Sequence, residues 1–132
     1  MTLSIICIYA GGILTLFMGI FHTKFYRLFK WERAFGKISM PNARIIYTVH
    51  LALLLLFFLF AALSLFYAGE LSRSTGLAFG LNLGYALFWI WRLIWQIYYF
   101  RDLKGGLHYL LSVFFLLLAL FYLIPVVLTV RN

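Results

Sequence analysis

Residues 45–67, IIYTVHLALLLLFFLFAALSLFY, form a run of 23 positions without an acidic residue, a lysine or an arginine. An α-helix rises about 1.5 Å per residue, so a run of this length can cross the roughly 30 Å of hydrocarbon in a bilayer. A barrel strand needs only about ten residues and an alternating pattern that is absent here. The segment therefore predicts a transmembrane helix.

The rest of the chain has the same apolar character. Of its 132 residues, 66% are hydrophobic and 11% are charged, and the mean hydropathy is +1.04. A soluble domain carries about 25% charged residues. The sequence predicts an all-α fold in which residues 1–132 form one transmembrane domain, a four-helix bundle. Its helices are expected at about 3–22, 45–69, 75–100 and 107–130, with an interfacial loop at about 23–44.

That loop carries six of the eleven basic residues, which are Lys24, Arg27, Lys30, Arg33, Lys37 and Arg44. They are interleaved with aromatic residues, a pattern typical of a cytoplasmic lipid interface rather than of nucleic-acid binding. The third loop adds Arg101 and Lys104, whereas Arg73 and Arg131 lie on the other side. The positive-inside rule therefore predicts that both termini lie outside the cytoplasm. We also expect an amphipathic interfacial helix continuous with span one, and a bacterial inner membrane.

Each span carries a line of small or polar residues at helical spacing, which predicts its inward face. In span one, Gly11, Thr15 and Gly19 recur at every fourth position and should let two backbones approach closely. The lines in the other spans are Tyr47, His50, Leu54, Phe57, Ala61 and Ser64; Asn82, Tyr85, Trp89, Arg92, Gln96 and Tyr99; and His108, Ser112, Phe115, Ala119 and Tyr122.

Arg92 is the most informative single residue. A charge towards the bilayer middle costs roughly 2.5–3.5 kcal/mol, and the predicted spans contain no carboxylate that could pair with it. One interpretation is that Arg92 snorkels towards the interface along neighbouring side chains. The other is that it binds an anionic group of a lipid, a cofactor or a partner protein.

The predicted orientation places the candidate site in the cytoplasmic leaflet. The candidate ligand-binding residues are His50, Arg92, Gln96, Tyr99, Tyr47 and Trp89. A haem would need two axial histidines, and His50 with His22 or His108 is the pairing to consider; a quinone or a lipid headgroup asks less of the geometry. His50 can instead be a neutral group that shares a hydrogen bond with Tyr47, Gln96 or a backbone carbonyl, and His22 and His108 can be ordinary residues of the membrane interface. The sequence lacks serine-nucleophile, zinc-protease, phosphate-loop and intramembrane carboxylate patterns, so an enzyme is less expected.

Three functions remain open. The first is an accessory or interaction subunit of a larger membrane assembly, because the short loops leave no extramembrane domain. The second is a protein that binds an amphipathic ligand or redox cofactor, with quinone, lipid headgroup and haem as candidates. The third is an oligomeric small transporter or channel, although the spans show no acid and no broken-helix pair. The expected partners are the lipid bilayer and another membrane protein or a second copy of the chain.

The segment Gly19-Ile20-Phe21-His22, followed by Phe25, resembles the end of the first helix in DoxX-like four-helix membrane proteins. That resemblance implies an association with membrane redox functions. It covers residues 19–25, and span two lacks the glycine and acidic pattern of that family, so no residue role is carried across.

Overall fold

The computed structural model describes residues 2–102 and 105–131 of the chain. Its helices are α1 (Leu3–His22), α2 (Phe25–Leu28), α3 (Trp31–Phe35), α4 (Met40–Phe66), α5 (Ala68–Arg73), α6 (Gly76–Tyr99) and α7 (Gly106–Arg131). The four long helices are long and apolar enough to cross a membrane, and the described residues contain no strand. The protein is therefore an all-α integral membrane protein built as a four-helix bundle, as the sequence predicts. Lys104, counted above in the third loop, lies outside the described residues.

The second long helix differs from its predicted bounds at both ends. It begins at Met40 rather than near residue 45, with Ser39 in extended conformation before it and Pro41 in its first turn. Proline suits that position because its ring presets the helical φ and the first turn needs no N–H donor. At the other end α4 stops at Phe66, and a separate short helix, α5, occupies much of the predicted second loop.

The interfacial segment, residues 23–39, is not continuous with α1, and that prediction is wrong. Helix α1 ends at His22, and the hydroxyl of Thr23 donates to the carbonyl oxygen of Ile20 at 2.6 Å. Such a bond gives the backbone an alternative to continuing the helix. Lys30 then adopts a left-handed conformation with φ of 50°, which separates α2 from α3. The segment is consequently two short helices that fold back over the end of the bundle.

The long helices pack in the order α4, α1, α7, α6. The backbones of α4 and α6 stay further apart than those of the packed neighbours. Aromatic rings bridge them instead, because Phe60 lies 4.0 Å from Tyr85 and Phe57 lies 5.5 Å from Trp89, measured between ring centroids. We call the end that carries residues 23–39 the basic end. Helix α5 packs across the long helices at the opposite end.

Glycines of α1 allow the close approach of its neighbours. A Cβ atom on Gly11 would lie 2.9 Å from the ring of Tyr122 on α7, and one on Gly12 would lie 2.9 Å from Ser64 on α4. Gly19 is less crowded, with Phe58 at 3.3 Å from the corresponding position. Both α4 and α7 therefore pack closely against α1.

Candidate functional site

A stack of three aromatic rings lies across the interior between α4, α6 and α7. The fully buried indole of Trp89 sits between Phe57, at 5.5 Å and 9° between ring planes, and Phe115, at 5.8 Å and 17°. Offset stacking of this kind adds to the free energy gained from burial alone. The stack forms the apolar floor of the polar region that follows towards the basic end.

Arg92 lies just beyond this floor. Its guanidinium carbon is 4.5 Å from the centroid of Phe115 and 5.2 Å from that of Phe100, a distance suited to cation–π attraction. Its Nη2 donates to Oε1 of Gln96 at 3.2 Å. Its Nη1 is buried and has no hydrogen-bond partner among the described residues.

A hydrogen-bonded line continues from Arg92 to α7. Gln96 is fully buried, and its Nε2 lies 3.4 Å from Nδ1 of His108, which lies in the first turn of α7. The Gln96 amide therefore faces Arg92 with its oxygen and His108 with its nitrogen, which fixes the amide orientation. All three acidic residues lie outside the four long helices, so none sits beside this line within a span.

His22 and His50 form a second polar pair at the same end. Their ring centroids are 6.2 Å apart with planes at 22°, and each residue is 8% exposed. Phe25 stacks on His22 at 4.1 Å and reaches His50 at 5.7 Å, while Trp31 meets the His50 ring edge-on at 4.7 Å. The aromatic residues of the interfacial segment thus cover both imidazoles.

The hydrogen bond of His22 constrains its chemistry. Nδ1 lies 2.9 Å from the carbonyl oxygen of Met18, and a carbonyl can only accept, so Nδ1 carries the proton. In the neutral ring, Nε2 is then the nitrogen with a free lone pair. His22 can accept a hydrogen bond or ligate a metal through that atom.

The two polar groups lie in one region. Phe57 contacts both Trp89 and His22, at 5.5 and 4.9 Å, and Phe115 contacts both Trp89 and Arg92. His22 ends α1 at the basic end, and Arg92 is nearer that end of α6 than Trp89. We define the polar cluster as Arg92, Gln96, His108, His22 and His50.

Two predicted site residues lie elsewhere. Tyr99 is 67% exposed and stacks on Trp95 at 4.9 Å on the outer face of α6. It follows Gln96 by three residues, which turns it about 60° away on a helix of 3.6 residues per turn. Tyr47 is 41% exposed and lies 5.7 Å from Tyr26 beneath the interfacial segment. Neither residue joins the polar cluster.

A haem with two axial histidines would need His50 next to His22 or His108. His22 is the residue brought next to His50, whereas His108 is bound to Gln96. Phe25 lies over both rings of the close pair, so a porphyrin between them would require that Phe25 move aside. Within residues 2–102 and 105–131, no group of three or more histidine, cysteine, aspartate or glutamate side chains could hold a metal ion.

The inward face of α6 also carries polar atoms nearer the opposite end. Asn82 Oδ1, Tyr85 OH and Trp89 Nε1 are buried and lack partners among the described residues. Asn82 does donate through Nδ2 to the carbonyl oxygen of Leu71, at 2.7 Å. The sequence pattern selects this face but cannot show which of its polar atoms are paired, because pairing depends on the neighbouring helices.

Comparisons of the chain with protein-family models, with curated proteins and with solved structures found no match. The short resemblance at residues 19–25 therefore assigns no family to the chain.

Proposed function

We propose that this protein binds an amphipathic ligand, a quinone or an acidic lipid, in the cytoplasmic leaflet of its membrane. The oxygen-bearing head would lie in the polar cluster. The main support is the Nη1 of Arg92, which is buried and has no hydrogen-bond partner within residues 2–102 and 105–131. A buried donor without an acceptor costs about 1–3 kcal/mol, and more when it is charged, so an oxygen atom from a ligand would remove a real penalty.

The position of the guanidinium favours binding over snorkelling. The side chain does extend towards the basic end, but it stops between Phe115 and Phe100 and bonds to the fully buried Gln96. A snorkelling arginine keeps its charged head in water. Here Arg92 is partly buried and its Nη1 is fully buried, so this donor has much to gain from an acceptor on a ligand.

The neighbours of Arg92 suit a planar or oxygen-rich head. Gln96 holds the guanidinium through Oε1, and His108 orients the Gln96 amide from the other side. Arg92 can therefore donate through Nη1 to a quinone carbonyl, a carboxylate or a phosphate oxygen. Trp89 offers an aromatic floor below.

Ligand retention by an Arg92 variant tests this proposal. Protein purified from its native membrane in mild detergent is extracted and its lipids and quinones are identified by mass spectrometry, and an absorption spectrum shows whether a haem is present. Arg92→Leu should lower the retained ligand at least tenfold. The matched control is Arg73→Leu, which removes an exposed arginine near the opposite end and should leave retention unchanged.

A second variant covers the case in which Arg92→Leu fails to fold. Gln96→Leu keeps the arginine but removes the acceptor that positions it, so retention should fall by a smaller factor. Full retention in a folded Arg92→Leu protein, or in Gln96→Leu when the first variant is unfolded, would overturn the proposal.

The accessory-subunit hypothesis has its own support on the outer face of α6. Trp91, Trp95 and Tyr99 form an exposed ladder, with successive ring centroids 5.9 and 4.9 Å apart. Aromatic residues are enriched at protein interfaces. Under this hypothesis, a larger complex extracted from the native membrane should dissociate in Trp91→Leu/Trp95→Leu. It should not dissociate in Ile97→Ala, which alters an exposed residue about 200° around α6 from Trp95. Native extraction as one small species would count against it.

A further inference from the structure

A cleft of about 540 Å³ lies between the interfacial segment and the first turns of α4. Its polar lining comes from Arg44, Tyr26 and Tyr47, and its apolar lining includes Phe35, Ile38 and Met40. A cleft lined by one cation and two tyrosines, with apolar groups adjoining, is suited to the phosphate and glycerol region of a lipid.

A second cleft of about 470 Å³ adjoins the first and shares Tyr26 with it. Arg27, Lys30 and Arg33 line this cleft together with Glu32, so cations outnumber the single acid. The left-handed turn at Lys30 lets the chain bend here and start α3. The pair of clefts could therefore accept a headgroup that carries more than one negative charge.

The surface below the first cleft is apolar and faces outward. Ile45, Ile46 and Val49 on α4 are 60%, 44% and 62% exposed, and they follow Arg44 directly along a helix that spans the membrane. A free phosphate would gain nothing from such a surface. A lipid whose phosphate lies at Arg44 could lay an acyl chain along it.

We propose that the interfacial segment binds one anionic phospholipid. Its phosphate lies between Arg44 and the hydroxyls of Tyr26 and Tyr47, and additional headgroup charge occupies the second cleft. The site shares no residue with the polar cluster, so it is independent of the ligand proposed for Arg92. This site would give the interfacial segment a specific ligand, in addition to the general attraction of its basic residues to an anionic membrane surface.

Native mass spectrometry of delipidated protein tests this site. The protein is titrated with phosphatidylglycerol, with cardiolipin or with phosphatidylcholine. Wild type should bind phosphatidylglycerol preferentially over phosphatidylcholine, and Arg44→Gln should weaken the binding of one phosphatidylglycerol at least fivefold. Arg44 is exposed, so the variant should fold; Arg73→Gln is the control at the opposite end and should bind as wild type does.

Two further arms separate the possible explanations. Cardiolipin, with its second phosphate, should bind more tightly than phosphatidylglycerol, and Lys30→Gln should remove that advantage. An acidic lipid held in the polar cluster would remain bound in Arg44→Gln, so the phosphatidylglycerol that this variant loses reports the interfacial site alone. Equal binding by wild type and Arg44→Gln would overturn the proposal. Displacement of the lipid by inorganic phosphate or a chain-free glycerophosphodiester at comparable concentration would overturn its lipid component in favour of a soluble phosphate.

Discussion

Two buried tyrosines of the core differ in one respect, the hydrogen bonding of their hydroxyls. The hydroxyl of Tyr122 lies 2.7 Å from Ser64 Oγ and 3.4 Å from Thr15 Oγ1, and so joins α7 to α4 and α1. The hydroxyl of Tyr85, on α6, has no partner among the described residues. The rings themselves are in contact, with centroids 5.0 Å apart. The pair therefore separates the contribution of the hydroxyl from that of the ring.

Replacing each of these tyrosines with phenylalanine should have opposite consequences. Tyr122→Phe leaves Ser64 without its partner and should lower the free energy of unfolding by about 1 kcal/mol. Tyr85→Phe removes a hydroxyl that has no partner in the described part of the chain, and it should leave the stability unchanged or raise it. Unfolding by titration with a denaturing detergent measures both. Equal losses would contradict the different hydrogen bonding of the two residues.

At the scale of the helices, the close packing of α1 against its neighbours depends on glycines, which have no side chain at the contacts. The Cβ of Gly11→Ala would lie 2.9 Å from the ring of the buried Tyr122, which is closer than van der Waals contact, so the ring or one of the helices would have to shift. We expect a loss of about 1–3 kcal/mol, as for other overpacked cores. Gly84→Ala in α6 meets nothing within 4 Å and should stabilise the protein by up to about 1 kcal/mol through helix propensity. Thermal unfolding in detergent compares the two, and a Gly11→Ala protein as stable as wild type would refute the close contact.

The four long helices could be predicted from their apolar runs, because lipid requires a minimum span length and internal pairing of every backbone group. The short helices could not. The division between α2 and α3 depends on one left-handed residue, Lys30, and α5 is tied to α6 by the bond from Asn82 to Leu71. Neither a left-handed conformation at a single residue nor a single hydrogen bond between two helices leaves a periodic signal in the sequence.

The same limit applies to the candidate site. Helical spacing selected Arg92, Gln96 and Trp89 because burial follows the helix period. It could not show that His22 approaches His50, because a periodic pattern identifies the inward face but not the helix opposite. Tyr99 lies outside the polar cluster because it is at the edge of the inward face, at the last residue of α6.

For the whole molecule, the distribution of basic residues predicts the direction in which the bundle crosses the membrane. In a Cys7→Ser background, single cysteines at Ser39 and Ser72 report the two ends. We expect a membrane-impermeant thiol reagent to label Ser72→Cys in intact cells, and Ser39→Cys only after permeabilisation, because the basic end should face the cytoplasm. The Cys7→Ser protein alone is the unlabelled control. Labelling in the reverse pattern would place the basic end, and with it the polar cluster, on the outer side.

Three neighbouring pairs of long helices pack closely in this bundle, whereas α4 and α6 are held together mainly by aromatic side chains. Separating α4 from α6 would require that the rings of Phe57, Phe60 and Phe88 rotate, because aromatic rings bridge the two helices. Helix α1 would keep its close contacts with both α4 and α7 at its glycines. If the polar cluster binds a ligand as proposed, a hydrophobic molecule could then enter from the bilayer between α4 and α6, past the stack of Phe57, Trp89 and Phe115. Bulkier side chains or cross-links between these two helices would change how fast the molecule enters and leaves.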